Sequence, residues 1–237
     1  MRVLKLSPNS KSIQKLGGLK MKNTLILLMA WLISLLMMTS SNAEFVPDEV
    51  VSAARDGLHL YLNAIPEGEL GHFGFTSKEE FDQTTIGTPF KKYTINPSEI
   101  LSYKGEVNIS SLLFPIEHWL FPLICKGKAR VLLTVARMWG EWQAVDLGGA
   151  DLAVEIEQIA QSWPTSRGYE MKFIQVYQAN SDFVLLTKDG VSNLVPLKCA
   201  SIVLGLVKRG ETYQYKKMSP SEVITKLAPV VEAAIQD

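Results

Sequence analysis

An α+β fold is predicted for residues 44–237: a largely antiparallel sheet of about six to eight strands, with helices packed on one face. Three observations predict it. Strand-like runs come in groups joined by short turns, without regular β-α-β alternation. Tight-turn tripeptides, Lys126-Gly127-Lys128 and Lys188-Asp189-Gly190, separate neighbouring runs. Helical apolar stripes open and close the stretch, so an N-terminal and a C-terminal helix flank the sheet and share its buried face.

The 43 residues ahead of this domain read as an export signal. Residues 25–38 are an apolar run of 14, broken only by Ser34. A membrane-spanning helix needs about 20 apolar residues, whereas the apolar core of a signal peptide needs about 7–15. Lys20 and Lys22 supply the basic flank, and Ser41 and Ala43 are the small residues a signal peptidase requires before a cut between Ala43 and Glu44. The alternative is an uncleaved N-terminal anchor. Gly17-Gly18-Leu19-Lys20 ahead of Met21 has the look of a translated ribosome-binding site, which puts the true start at Met21 and suggests a bacterial source. The expected location is secreted or periplasmic, with no permanent membrane span after cleavage.

Removing this segment changes the charge. The chain as a whole has 24 basic and 24 acidic residues. Six of the basic ones (Arg2, Lys5, Lys11, Lys15, Lys20, Lys22) and no acid lie before residue 44, leaving 18 against 24, a net charge of −6. A nucleic-acid partner is not expected, because no basic stripe supplies the phosphate-binding term.

Pro47-Asp48-Glu49 starts the first helix, with proline in the first turn and acids at the positive end of its dipole. Val51, Ala54, Leu58, Tyr61, Leu62 and Ile65 form its stripe, and Pro66 stops it. After a glycine-rich connection, Ser77 and Glu80 match a capping box. Residues 90–95 read as a strand and Asn96-Pro97-Ser98-Glu99 as a helix start, while 104–117 read as a loop. Strands are predicted over 119–125, 129–138 and 142–147. Pro122 assigns the first to an edge or a bulge. Asp151 is the expected N-cap of a helix carrying Leu152, Ile156, Ile159, Ala160 and Trp163. Further strands are predicted over 171–179, 183–187, 191–197, 200–207 and 212–215. Ser219-Pro220-Ser221-Glu222 then caps a last helix, which Pro229 should kink.

The chemistry-bearing residues are sparse. A disulfide between Cys125 and Cys199 is allowed after export, the alternative being two buried free thiols. His59, His72 and His118 have no metal-ligand spacing, so no metal or other cofactor is expected. Cys125 with His118 would face opposite sides of one strand. Gly148-Gly149 ahead of a helix can offer N–H groups to an anion, but Asp151 opposes one. Asn108-Ile109-Ser110 matches a glycosylation acceptor. Trp139 and Trp142 bracket a turn and make the candidate binding surface, because a flat ring with a polar edge suits a partner groove or a sugar. The reading is an exported non-enzymatic domain that binds a protein, peptide or cell-envelope component. The alternative is an envelope hydrolase using His118 or His72 with Glu117 or Glu69.

Overall fold

The structure, a computed structural model, describes residues 45–105 and 108–236. The proposed signal segment, its cut after Ala43 and the start at Met21 lie outside them. In chain order the elements are helix α1 (Asp48–Ala64), strands β1 (Thr84–Ile86) and β2 (Phe90–Ile95), and helix α2 (Pro97–Ser102). Strands β3 (Leu113–Cys125), β4 (Lys128–Met138) and β5 (Glu141–Gly148) follow, then helix α3 (Ala150–Ser162). Strands β6 (Glu170–Val176), β7 (Ser181–Lys188) and β8 (Val191–Pro196) precede helices α4 (Lys198–Val203) and α5 (Pro220–Gln236).

The eight strands form one sheet in the order β5-β4-β3-β2-β6-β7-β8, with β1 also on β3. Every ladder is antiparallel except β2 with β6. Three hairpins have two-residue turns, Lys126-Gly127, Trp139-Gly140 and Asp189-Gly190. Both residues of each have positive φ: 51° and 73°, 51° and 93°, 51° and 76°. This left-handed pairing matches the strand twist, and glycine adopts it without strain.

β3 begins earlier than the periodicity suggests and lies inside the sheet despite Pro122. Its 113–120 end pairs with β2 and its 123–125 end with β1. The switch between these two partners falls opposite Phe121 and Pro122, so the missing proline N–H costs no ladder bond on that side. The Pro122 carbonyl still accepts from Gly87 N at 2.7 Å.

Alternation along the strands sorts the core onto two faces. Trp119, Phe121, Leu123 and Cys125 of β3 and Val131, Leu133 and Val135 of β4 pack under α1. Tyr93, Ile174, Phe183 and Leu185 pack under α2 and α5. Tyr93 pairs with Pro115, which has the parity of Trp119 and Phe121, so both groups share the front face. The first and last helices therefore share a face, as expected. The opposite face is covered too: Ala153, Ile156 and Ile159 of α3 pack on Leu120, Leu132, Phe173, Val184 and Leu186. Helices thus occupy both faces, because the central strands are apolar on both sides. The starts of α2 and α5, which resemble each other in sequence, also pack together through Ile100, Val223 and Ile224, although only α5 is capped by a side chain, Ser219 Oγ accepting from Glu222 N.

Two carboxylates of α3 satisfy amides that regular pairing leaves open. Glu157 accepts from Ala129 N at 3.2 Å, where β4 bulges at Arg130, and Glu155 accepts from Lys198 N at 2.8 Å. The second contact caps α4, so part of the strand predicted over 200–207 is helical, with Ala200 and Leu204 in the core. The 212–215 stretch is not a strand either. The chain meets β8 at one bridge, Leu194 with Met218. Gly149, not Asp151, occupies the N-cap of α3, and Pro229 lies inside α5.

α1 approaches β5 closely enough that a Cβ on Gly57 would sit 2.2 Å from that of Ala144, while the Tyr61 hydroxyl donates to the Ala144 carbonyl at 3.1 Å. Gly57→Ala is expected to destabilise the fold by about 1–3 kcal/mol through overpacking. Urea unfolding checks this, and Ala144→Gly in the same chain should restore part of the loss.

Candidate functional site

The β4–β5 hairpin carries the most exposed large apolar side chain of the described residues. Trp139 is 89% exposed at the tip, with Met138 beside it also exposed. The tip is held at its base by Arg137, whose Nε donates to the Gly140 carbonyl at 3.2 Å and whose Nη1 meets Glu117 Oε1 at 3.2 Å. Trp142 does not join it. It pairs with Arg137 across the hairpin and lies half-buried against the core under α1. The two-residue turn forces this outcome: the tip residue projects outward, and strand alternation returns Trp142 to the front face.

The histidines are dispersed. His59 is exposed on α1. His118 pairs with Ala136 on the back face, and burial, with Lys92 nearby, lowers its pKa. Glu117, its sequence neighbour, turns away to Arg137, so these two do not form a pair. Cys125 is buried on the front face, its thiol 3.6 Å from the Glu80 carbonyl, while Cys199 is exposed on α4. Both are free thiols, so the disulfide that export would allow is not formed, and of the two only Cys125 is buried. Asn108 caps the following 3-10 turn, its side chain accepting from Ser110 N at 3.0 Å.

His72 does find its acid. Its Nδ1 lies 2.5 Å from Glu69 Oε2 in the 3-10 segment after α1. His72 also lines a cleft of about 460 Å³, together with Gly71, Gly74, Arg130, Gly149 and Asp151. Gly149 provides no side chain to cap α3 at this end.

The wall of the cleft depends on Glu80. Its side chain is only 4% exposed and accepts from Thr76 N at 2.7 Å. Oε1 meets Lys126 Nζ at 3.1 Å and Arg130 Nη2 at 3.5 Å, while Arg130 Nη1 donates to the Gly74 carbonyl at 3.0 Å. The Thr76 amide and then Lys126 hold the Glu80 carboxyl down at about 2. The expected capping box does not form, because Ser77 makes no cap and Glu80 turns inward to these partners.

A second polar group was not legible in the sequence, since its members come from distant segments. Burial raises the pKa of Glu155 and of Asp182, and it also raises those of Tyr213 and Tyr215, beside Glu155. Asp182 Oδ1 is buried without a hydrogen-bond partner. Lys92 opposes the upward shift of Asp182, and Glu155 adds to it.

Among the described residues no helix is long and apolar enough to cross a membrane, and no group of three or more His, Cys, Asp or Glu side chains is placed to hold a metal ion. No family model matches the sequence, and no curated protein or solved structure matches it significantly.

Because the Glu80 carboxyl is depressed, its contribution to stability is complete above the unfolded value of about 4.3 and is lost as pH falls toward 2. Glu80→Gln should therefore lower the urea midpoint at neutral pH, and its difference from the parent should shrink between about pH 4 and pH 2.

Proposed function

We propose that this chain is an exported, non-enzymatic binding domain that grips a protein, peptide or cell-envelope component through the β4–β5 hairpin. The observation that carries this reading is Trp139, 89% exposed on a hairpin whose base is fixed by Arg137. A tryptophan in water is an unfavourable exposure that a partner's apolar pocket relieves, and such rings dominate interface energetics. Fixing the tip before binding reduces the ordering cost of association. The export half of the reading rests on the 14-residue apolar run and its flanks.

The alternative, an envelope hydrolase, is favoured by one contact. Glu69 engages Nδ1 of His72, an arrangement that orients the ring and leaves Nε2 to act as a base at the cleft.

Trp139→Ala should abolish capture of the partner from cell-envelope extract without changing the melting temperature. Trp142→Ala, by contrast, should lower the melting temperature by removing core packing. Capture unchanged by Trp139→Ala rejects the hairpin surface. Hydrolysis of envelope material that disappears in His72→Ala would replace the binding reading with the enzymatic one.

A further inference from the structure

We infer that the outer edge of β5 takes an extended peptide as a further strand, one that alternates basic and apolar side chains. This strand site deepens, and rests on, the reading of the β4–β5 hairpin as the binding surface.

The open edge follows from the turn. A two-residue turn with positive φ at both positions closes on a hydrogen-bonded pair, here Met138 with Glu141. Pairs alternate along an antiparallel ladder, so the backbone of Gln143 also faces β4, while Trp142 and Ala144 direct their N–H and C=O groups away from it. β5 ends the sheet, with β4 as its one strand partner among the described residues. The Tyr61 hydroxyl takes the Ala144 carbonyl at 3.1 Å. The Ala144 N–H and both backbone groups of Trp142 have no backbone partner among the described residues. An extended peptide supplies the matching donors and acceptors by strand addition.

The two faces of β5 specify the side chains of the added strand. Glu141, Gln143 and Asp146 pair with Met138, Ala136 and Thr134 and share the back face, because the bulge before Asp146 restores the parity. All three are exposed. Trp142 and Ala144 share the front face at the rim of the core under α1. Leu60 of α1, three positions from Gly57 and beside Tyr61, stands exposed on the same helix that meets Ala144. A strand added to β5 continues this alternation, so its back-face side chains meet carboxylates and its front-face side chains meet apolar surface. Trp139, in the turn that leads into β5, offers its ring at the end of the edge.

Charge decides between occupants. The exposed charged groups of α1 and β5 are Asp48, Glu49, Asp56, Glu141 and Asp146 against Arg55 alone. No Lys or Arg occurs between Arg137 and Arg167, and Arg137 is already engaged by Glu117 and the Gly140 carbonyl. A second copy of β5 would bring acid against acid, which disfavours pairing of this edge with itself. A basic strand gains attraction at the same positions.

The test is titration of the ¹⁵N-labelled protein with acetyl-Lys-Val-Lys-Val-Lys-Val-amide. Saturable shifts and slowed hydrogen exchange are expected at the Trp142 and Ala144 amides, with a Kd of about 0.1 mM. The peptide with Glu in place of Lys should bind about tenfold more weakly or worse, and so should the Lys peptide with N-methylated valines, whose N–H groups would face β5. Glu141→Lys combined with Asp146→Lys changes two exposed side chains and should reverse the order of the Lys and Glu peptides. Absence of saturable shifts at Trp142 and Ala144, or equal binding of the N-methylated peptide, overturns the strand site. Shifts confined to the Trp139 indole also overturn it while leaving the hairpin-tip reading standing. Strand signals that persist unweakened in Trp139→Ala support the edge and count against the tip.

Discussion

The buried carboxylate of Glu80 is the joint on which one end of the molecule depends. It belongs to the short turns between α1 and β1, yet its partners are Thr76 N, Lys126 in the β3–β4 turn and Arg130 on the bulge of β4. The chain after α1 is thereby fastened to the sheet and shaped into the wall of a cleft. A buried charge is tolerable only when fully partnered, and here one anion is served by a backbone donor and two cations. Removing it would leave the largely buried Arg130 without its ion partner, while the more exposed Lys126 would turn to water.

The same device recurs on the back face. Glu155 and Glu157, two residues apart on α3, each spend a carboxylate on an amide left open where regular pairing stops: Lys198 N at the start of α4 and Ala129 N beside the β4 bulge. Three acids thus close three gaps in the backbone hydrogen-bond account. The sheet edges are interrupted as well. Tyr61 reaches the Ala144 carbonyl on β5, and Met218 bridges Leu194 on β8, which limits the free edge available for unwanted strand pairing. The hairpin tip with Trp139 stays uncovered.

Much of the fold is legible because local rules decide it. The hairpin turns are written in dipeptides with glycine second, and the α1 and α3 stripes are written in helical spacing. The errors arise where a distant residue overrides local preference. Residues 200–207 are as apolar as a strand, but Glu155, 43 positions before Lys198, caps a helix there. Glu80 sits where a capping box places an acid, but two cations and an amide claim it. Pro122 argues against a central strand, and only the change of partner from β2 to β1 opposite it reconciles the two. Of the candidate site, the pair Trp139 and Trp142 at a turn is legible, and the structure divides it: Trp139 is exposed at the tip and Trp142 lies half-buried on the front face. That Cys125 and Cys199 stay apart, one buried on the sheet's front face and one exposed on α4, is a consequence of packing, which spacing alone does not encode.

The hairpin and the Glu80 joint share a physical logic: a feature fixed in place by its own neighbours. At the hairpin it is apolar area held by Arg137, and at the joint it is a carboxylate held by Thr76 N, Lys126 and Arg130. The account of this joint stands on Glu80 being ionised in the folded protein. A ¹³C NMR titration of its side-chain carboxyl measures this directly. The carboxyl is predicted to remain ionised through the ordinary glutamate range and to titrate at about 2. An inflection near about 4.3, the value of an unpartnered glutamate, would contradict the account.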